Sequence, residues 1–177
     1  APAFDYPPPD AADPLLDYGI RARPLLAQWL PPKPYAVLLS ATSRDDKLWA
    51  DTNWLALAAD LHAHGIAAVL PGGSAAERER AARLAAARRW ASRKRISSSI
   101  RCPPGAASIA GAAIVIGVDT GLTHLAAALG RPVIAIFAGS EPGLTGVLAA
   151  TPAINLGGRG APPGAAEVWW AARHMLG

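Results

Sequence analysis

The chain has 177 residues, a formal net charge of +4 and 51 % hydrophobic residues, which suits one domain with an ample core. No apolar run approaches the roughly 20 residues of a membrane-spanning helix. The proline-rich, acidic start APAFDYPPPD is not expected to be a signal peptide, and the single cysteine, Cys102, excludes an internal disulfide and fits a reducing compartment. The positive charge does not argue for nucleic acid. Arg88, Arg89, Arg93, Lys94, Arg95 and Arg101 fall in one short stretch without an acid, and without these six the chain would stand at −2.

Residues 1–34 hold nine of the 17 prolines. Ala1 to Pro14 therefore reads as a linker or extended arm, and Leu15 to Leu30 as a helix-like segment kinked or divided at Pro24. Tyr35 to Leu39 is the first clear strand. Ser40 to Trp49 follows as a polar loop of hydroxyls and alternating charge. Asp51 or Thr52 is expected to cap a helix over Asn53 to His64, closed by Gly65. The plain reading of the loop is that its charges satisfy one another. The functional reading is that Lys47 neutralises a phosphate while Thr42 and Ser43 donate to the same oxygens.

Ile66 to Leu70 reads as a second strand and Pro71 to Ser74 as a loop. Ser74 can cap a helix from Ala75 to about Arg89, with Glu77 in its first turn. Glu77 with Arg80 and Glu79 with Arg83 are expected as surface pairs. Trp90 to Gly105, WASRKRISSSIRCPPG, is anomalous. It shows neither strand alternation nor a helical face where a doubly wound sheet calls for a strand and a short helix. A surface insertion, a stretch read out of frame and an electrostatic patch for an acidic membrane surface are the alternatives, and a weakened strand with poor local order is expected there.

The informative stretch is Ile114 to Pro132, IVIGVDTGLTHLAAALGRP. Ile114 to Val118 is an apolar, β-branched run suited to a buried strand. Leu122 to Leu129 is Ala- and Leu-rich and reads as a helix, with Gly130 as its cap and Pro132 just beyond. A strand thus turns into a helix at Asp119-Thr120-Gly121. A helix start leaves N–H groups unpaired and carries partial positive charge, which favours a phosphate. Gly121 leaves room for a ligand at the backbone, and Thr120, Thr123 and His124 are spaced to share a face. The plain alternative makes Asp119 the N-cap and His124 a satisfied core histidine. Val133 to Phe137 is another strand, followed by the loop Ala138 to Gly143. In an open parallel sheet both loops lie at the carboxyl edge, where ligands bind. Thr151 to Leu156 reads as a last strand, Gly157 to Gly164 as a loop and Ala165 to Leu176 as a terminal helix, on which Trp169 and Trp170 read as packing residues.

The stretch GVDTGLTHLAAALGRPVIAIFAGSEPGLTG, together with LLSATSRDDKLW, resembles the signature of the ADP-heptose:lipopolysaccharide heptosyltransferases of glycosyltransferase family 9. The RDDK-x-W loop is closest to the branch that adds the first heptose to the Kdo-lipid A core. The resemblance covers roughly residues 15–87 and 108–176 and only the C-terminal half of that family. Ser40 departs from the family's usual His, and Ala50 from its Pro.

The resemblance implies an α/β fold, a Rossmann-like parallel sheet with helices on both faces, as in the C-terminal half of a GT-B glycosyltransferase. Residues 1–34 would be a linker and interdomain helix, and 35–177 the ADP-heptose-binding domain. The reaction implied is inverting transfer of L-glycero-D-manno-heptose from ADP-heptose to Kdo. Lys47 would stabilise the leaving diphosphate. Thr42, Ser43, Lys47, Glu77 (on the adenosine ribose), Asp119, Thr120, Gly121, Leu122 and His124 would bind the donor.

No cofactor and no metal are expected. In the family the general base is an aspartate of the N-terminal domain, so this chain alone is expected not to turn over. Kdo-lipid A would be met through that other domain, at the cytoplasmic face of the inner membrane, with no nucleic-acid partner. The alternatives are an enzyme of the heptosyltransferase II type and a truncated, non-catalytic nucleotide-binding remnant.

Overall fold

The computed structural model describes residue 31, residues 34–91 and residues 105–177. The linker, the Leu15–Leu30 segment and residues 92–104 of the anomalous stretch lie outside the described residues. Five strands, β1 (Tyr35–Leu39), β2 (Ala67–Val69), β3 (Ile114–Val118), β4 (Val133–Phe137) and β5 (Ala153–Gly157), form one sheet in the order β2-β1-β3-β4-β5. Every pairing is parallel. β1, β3 and β4 are buried along their whole length. Central strands covered on both faces must be apolar at every position, and these three read that way in the sequence.

Alternate side chains serve two cores. Ala36, Leu38, Ile114, Ile116, Ile134 and Ile136 pack beneath α1 (Asp51–Ala63), α2 (Ala75–Ala91) and α6 (Ala165–Leu176). Tyr35, Val37, Leu39, Val115, Val133 and Phe137 pack beneath α3 (Gly105–Ala110) and α4 (Gly121–Ala128). The α/β architecture with helices on both faces is therefore as expected. On α1 the buried positions are Trp54, Leu57, Ala58 and Leu61, an apolar stripe at helical spacing. Each large side chain so buried contributes about 1.5–3 kcal/mol. Gly65 (φ +75°) and Gly130 (φ +68°) reverse the chain after α1 and α4 in the left-handed conformation that favours glycine.

Several local expectations are corrected. α1 begins at Asp51, and its N-cap, Ala50, offers no side-chain bond. Asp51 instead pairs with Arg80 at 2.5 Å, because α2 lies beside α1. Arg80 is thereby taken from Glu77, whereas the expected Glu79–Arg83 pair forms at 3.5 Å. Trp90 and Ala91 continue α2, and Gly105 opens α3, so the ends of the anomalous stretch are helical. Trp169 packs against the core and lies 4.6 Å from the His64 ring. Trp170 does not pack inward; it is 60 % exposed and stacks on His174 at 4.0 Å.

The chain leaves β1 towards β2 on one side and returns past β1 to form β3 on the other. The carboxyl ends of β1 and β3 therefore flank a topological switch point, where the connecting loops diverge and leave a crevice.

Candidate functional site

A cleft of about 550 Å³ opens at that switch point, lined by Thr42, Ser43 and Lys47 from the loop after β1, Asp119, Thr120, Gly121 and His124 after β3, and Leu144, Thr145 and Gly146 after β4. Its size is that of a small-molecule site. Seven of the nine residues anticipated from sequence lie on its wall. Leu122 is on the first turn of α4 and exposed but does not line the cleft, and Glu77 stands apart at the start of α2.

At its centre is Asp119, whose side chain is 7 % exposed. Its Oδ2 accepts from Lys47 Nζ at 2.7 Å, Ser140 Oγ at 2.6 Å and Thr145 Oγ1 at 3.3 Å. Burial works against the charge on this carboxylate. The bonds from Lys47 and Ser140, the Lys47 charge and the bond from Thr145 outweigh it and hold the Asp119 pKa below the usual carboxylate value. Asp119 is thus not the cap of α4. The N-cap is Thr120, which makes no side-chain cap bond, and the helix presents its first N–H groups uncapped at the cleft. A Cβ on Gly121 would meet nothing within 4 Å, so the approach to that helix start is open.

His124 is not a core histidine. Its side chain is 44 % exposed, and Nε2 lies 3.7 Å from Asp119 Oδ1, too far for a hydrogen bond. Thr123 does not share its face. It is fully buried and donates to the Val118 carbonyl at 2.7 Å, because a helix that starts this close to its strand turns that position inward. Gly117 makes room for it: a Cβ there would collide with Thr123 Oγ1 and lie 2.9 Å from Leu39 Cβ.

The loop that carries Lys47 is fixed from several sides. Asp45–Lys47 form a single 3₁₀ turn. Arg44 pairs with Asp46, Nε to Oδ1 at 2.9 Å, so those two charges do satisfy one another. Trp49 is buried, donates from Nε1 to the Pro163 carbonyl at 2.8 Å and meets Trp54 edge to face at 4.8 Å. Arg80 donates to the Trp49 carbonyl at 3.1 Å. Gly139 packs so closely that a Cβ on it would lie 2.6 Å from the Asp46 carbonyl oxygen.

Glu77 is occupied locally. Its Oε2 accepts from the backbone N–H of Gly73 at 2.7 Å and of Ser74 at 2.9 Å, while its own N–H donates to Ser74 Oγ at 3.2 Å. This is a reciprocal capping box. The Ser74 N–H bond foremost, against a desolvation cost and with help from Gly73, draws the Glu77 pKa down.

Ser140, Leu144, Thr145 and Gly146 were not anticipated as site residues. Their signals in the sequence are the loop Ala138–Gly143, which the sheet order places at the same edge, and the signature stretch, which runs on to Gly146. In chemical terms the cleft offers an ammonium with two protons uncommitted among the described residues, hydroxyls, a helix start without a side-chain cap and a fixed carboxylate. That set suits a polyhydroxy ligand bearing phosphate.

Known proteins resemble this chain over most of its length. The model of glycosyltransferase family 9 (heptosyltransferase) matches residues 1–165. Lipopolysaccharide heptosyltransferase 1 of Pseudomonas aeruginosa is 42 % identical over 146 residues, which cover 82 % of this chain and 39 % of that protein. Its Salmonella typhimurium counterpart is 40 % identical over 130 residues, 73 % of this chain and 40 % of that protein. The structure of Escherichia coli heptosyltransferase WaaC with ADP superposes with a TM-score of 0.64 at 34 % identity, over 80 % of this chain and 44 % of that one. The chain therefore spans about two-fifths of the length of the curated relatives it matches.

Proposed function

The chain belongs to glycosyltransferase family 9, and from that premise we propose that it is the donor-binding half of an inverting heptosyltransferase. The donor is ADP-heptose, and L-glycero-D-manno-heptose passes to a Kdo hydroxyl of the lipopolysaccharide inner core. The observation that carries the proposal is the Asp119–Lys47 pair beside the uncapped start of α4 in a cleft at the switch point. Relatives of about 32–34 % identity have been solved with ADP and with ADP-2-deoxy-2-fluoro heptose, which supports placing a nucleoside diphosphate here. The curated relatives are heptosyltransferase 1 proteins, which favours the first-heptose reaction. The match to E. coli heptosyltransferase II, at 23 % identity, bears on the fold alone.

As the glycosidic bond to ADP breaks, negative charge grows on the leaving diphosphate. Lys47 commits one proton to Asp119 and keeps two for phosphate oxygens. Thr42, Ser43 and the first N–H groups of α4 add neutral donors. A carboxylate held ionised by three donors is a poor proton acceptor, so Asp119 orients sugar hydroxyls rather than serving as the base. In this reading the base and the Kdo-lipid A site come from the other half of the enzyme, at the cytoplasmic face of the inner membrane. Glu77 Oε1, which takes no hydrogen bond among the described residues, serves the adenosine ribose. The positive charge comes from protein groups, with no metal or cofactor assigned.

Calorimetric titration of the chain with ADP and ADP-heptose tests this. Saturable binding that weakens at least tenfold in the Lys47→Ala, Asp119→Ala double variant is expected, without heptose transfer. A folded chain that binds neither nucleotide would refute the proposal and favour a non-catalytic remnant.

A further inference from the structure

Three donors from two loops converge on one oxygen of Asp119 and, among the described residues, leave the other without a hydrogen-bond partner. Oδ2 takes Lys47, Ser140 and Thr145. Oδ1 takes no hydrogen bond among the described residues, and its neighbour there is His124 Nε2 at 3.7 Å, a residue of the cleft wall. A carboxylate free to rotate about its terminal bond would interchange its oxygens and lose direction as an acceptor.

Ser140 is the shortest of the three contacts and is itself buried. Its position is fixed by the close packing of Gly139 on Asp46, which joins the loop after β4 to the turn that carries Lys47. Thr145 reaches the same oxygen from α5 (Pro142–Thr145), five residues further along that loop.

We infer that Ser140, with Thr145 behind it, is a positioning residue: it saturates Asp119 Oδ2 together with Lys47, so that Oδ1 stands as a single, fixed acceptor for a hydroxyl of the donor's sugar. The inference rests on the proposed donor site and adds residues to which neither the family signature nor the sequence reading gives a role. It requires that Ser140 matter more for the sugar than for the nucleotide, since the diphosphate is met by Lys47 and α4.

The test compares the affinities of the wild-type chain, Ser140→Ala and Ser140→Thr for ADP and for ADP-heptose across pH. Wild type is expected to prefer ADP-heptose. Ser140→Ala is expected to reduce that preference about tenfold, as loss of a hydrogen bond to a charged group implies, and Ser140→Thr to restore most of it. With Ser140 gone, burial weighs more against ionised Asp119, so the acid limb of ADP-heptose binding should move to higher pH. The charged groups facing Asp119 are Lys47 and His124, with Arg44 further off. All three are unchanged in these variants.

A folded Ser140→Ala chain that keeps both the preference and the acid limb overturns the inference and leaves the donor site standing. A wild-type chain that binds neither nucleotide removes both. Should Ser140→Ala fail to fold, Thr145→Val takes its place, with an expected two- to threefold loss of preference, and an unchanged preference is again the refuting result.

Discussion

Replacing Lys47 by Met keeps most of the side chain's bulk and removes the cation from Asp119. The pair is 2.7 Å apart, with Asp119 7 % and Lys47 18 % exposed. Removing one partner of a fully buried pair costs about 3–5 kcal/mol, most of it the burden of an uncompensated charge. Here the Lys47 end opens on the cleft, so water partly replaces the ammonium, and Ser140 and Thr145 still donate. A loss of about 2–3 kcal/mol at pH 7 is expected.

The pH dependence separates this cause from a packing defect. In the wild type the folded Asp119 pKa lies below the ordinary value. Its contribution to stability is therefore complete above the unfolded pKa and is lost as pH falls through the lowered folded value. In Lys47→Met, burial is opposed only by two hydroxyls, and the folded pKa rises. The gap in stability between the two proteins should then be widest near neutral pH and close as pH falls from the variant's raised folded pKa through the lowered one of the wild type. Urea unfolding followed by the fluorescence of buried Trp49 and Trp54 measures the gap. The same substitution in an Asp119→Asn background should cost less than about 1 kcal/mol, giving a coupling of roughly 2 kcal/mol in a double-mutant cycle. A loss that is equal at pH 7 and pH 3.5, or equal in the Asn background, would refute the reasoning.

Gly117→Ala places a methyl group against Thr123 Oγ1 and Leu39 in a fully buried strand. The overpacking should cost about 1–3 kcal/mol, read as a lower Tm, and an unchanged Tm would show that Thr123 has space to turn away. Glu77→Gln tests two roles at once. Its pKa is lowered chiefly by the Ser74 N–H bond, so its stabilising effect is present above the unfolded carboxylate pKa and fades as pH falls through the lower folded one. About 0.5–1 kcal/mol should be lost at pH 7. If Glu77 also holds the ribose, ADP affinity should fall several-fold while the affinity for inorganic pyrophosphate does not change.

The sheet was legible because its physics is local to each strand. Tyr35–Leu39, Ile114–Val118 and Val133–Phe137 are apolar at every position, as central parallel strands must be, and their observed bounds match the expected ones. Edge strands bury less and signal less: β2 is shorter than Ile66–Leu70 suggested, and β5 starts two residues after Thr151. Side-chain partners were legible only where they are local, as in the Ser74 cap of α2 and the Glu79–Arg83 pair. Asp119 and Asp51 each stand at a helix start, where propensity makes an acid a cap. Each is instead taken by a cation 72 or 29 residues away that only the assembled fold supplies.

Ser140 was hidden for the related reason that a serine in AGSEPG is ordinary turn chemistry. Its role exists only because parallel pairing of β3 with β4 sets the end of one strand beside the end of the other, Val118 opposite Ile136. That register carries Asp119 and the loop after Phe137 to the same height above the sheet. The site is thus a consequence of strand alignment. A cation, a hydroxyl and a carboxylate that are unremarkable in their own loops meet because three adjacent parallel strands, β1, β3 and β4, end together.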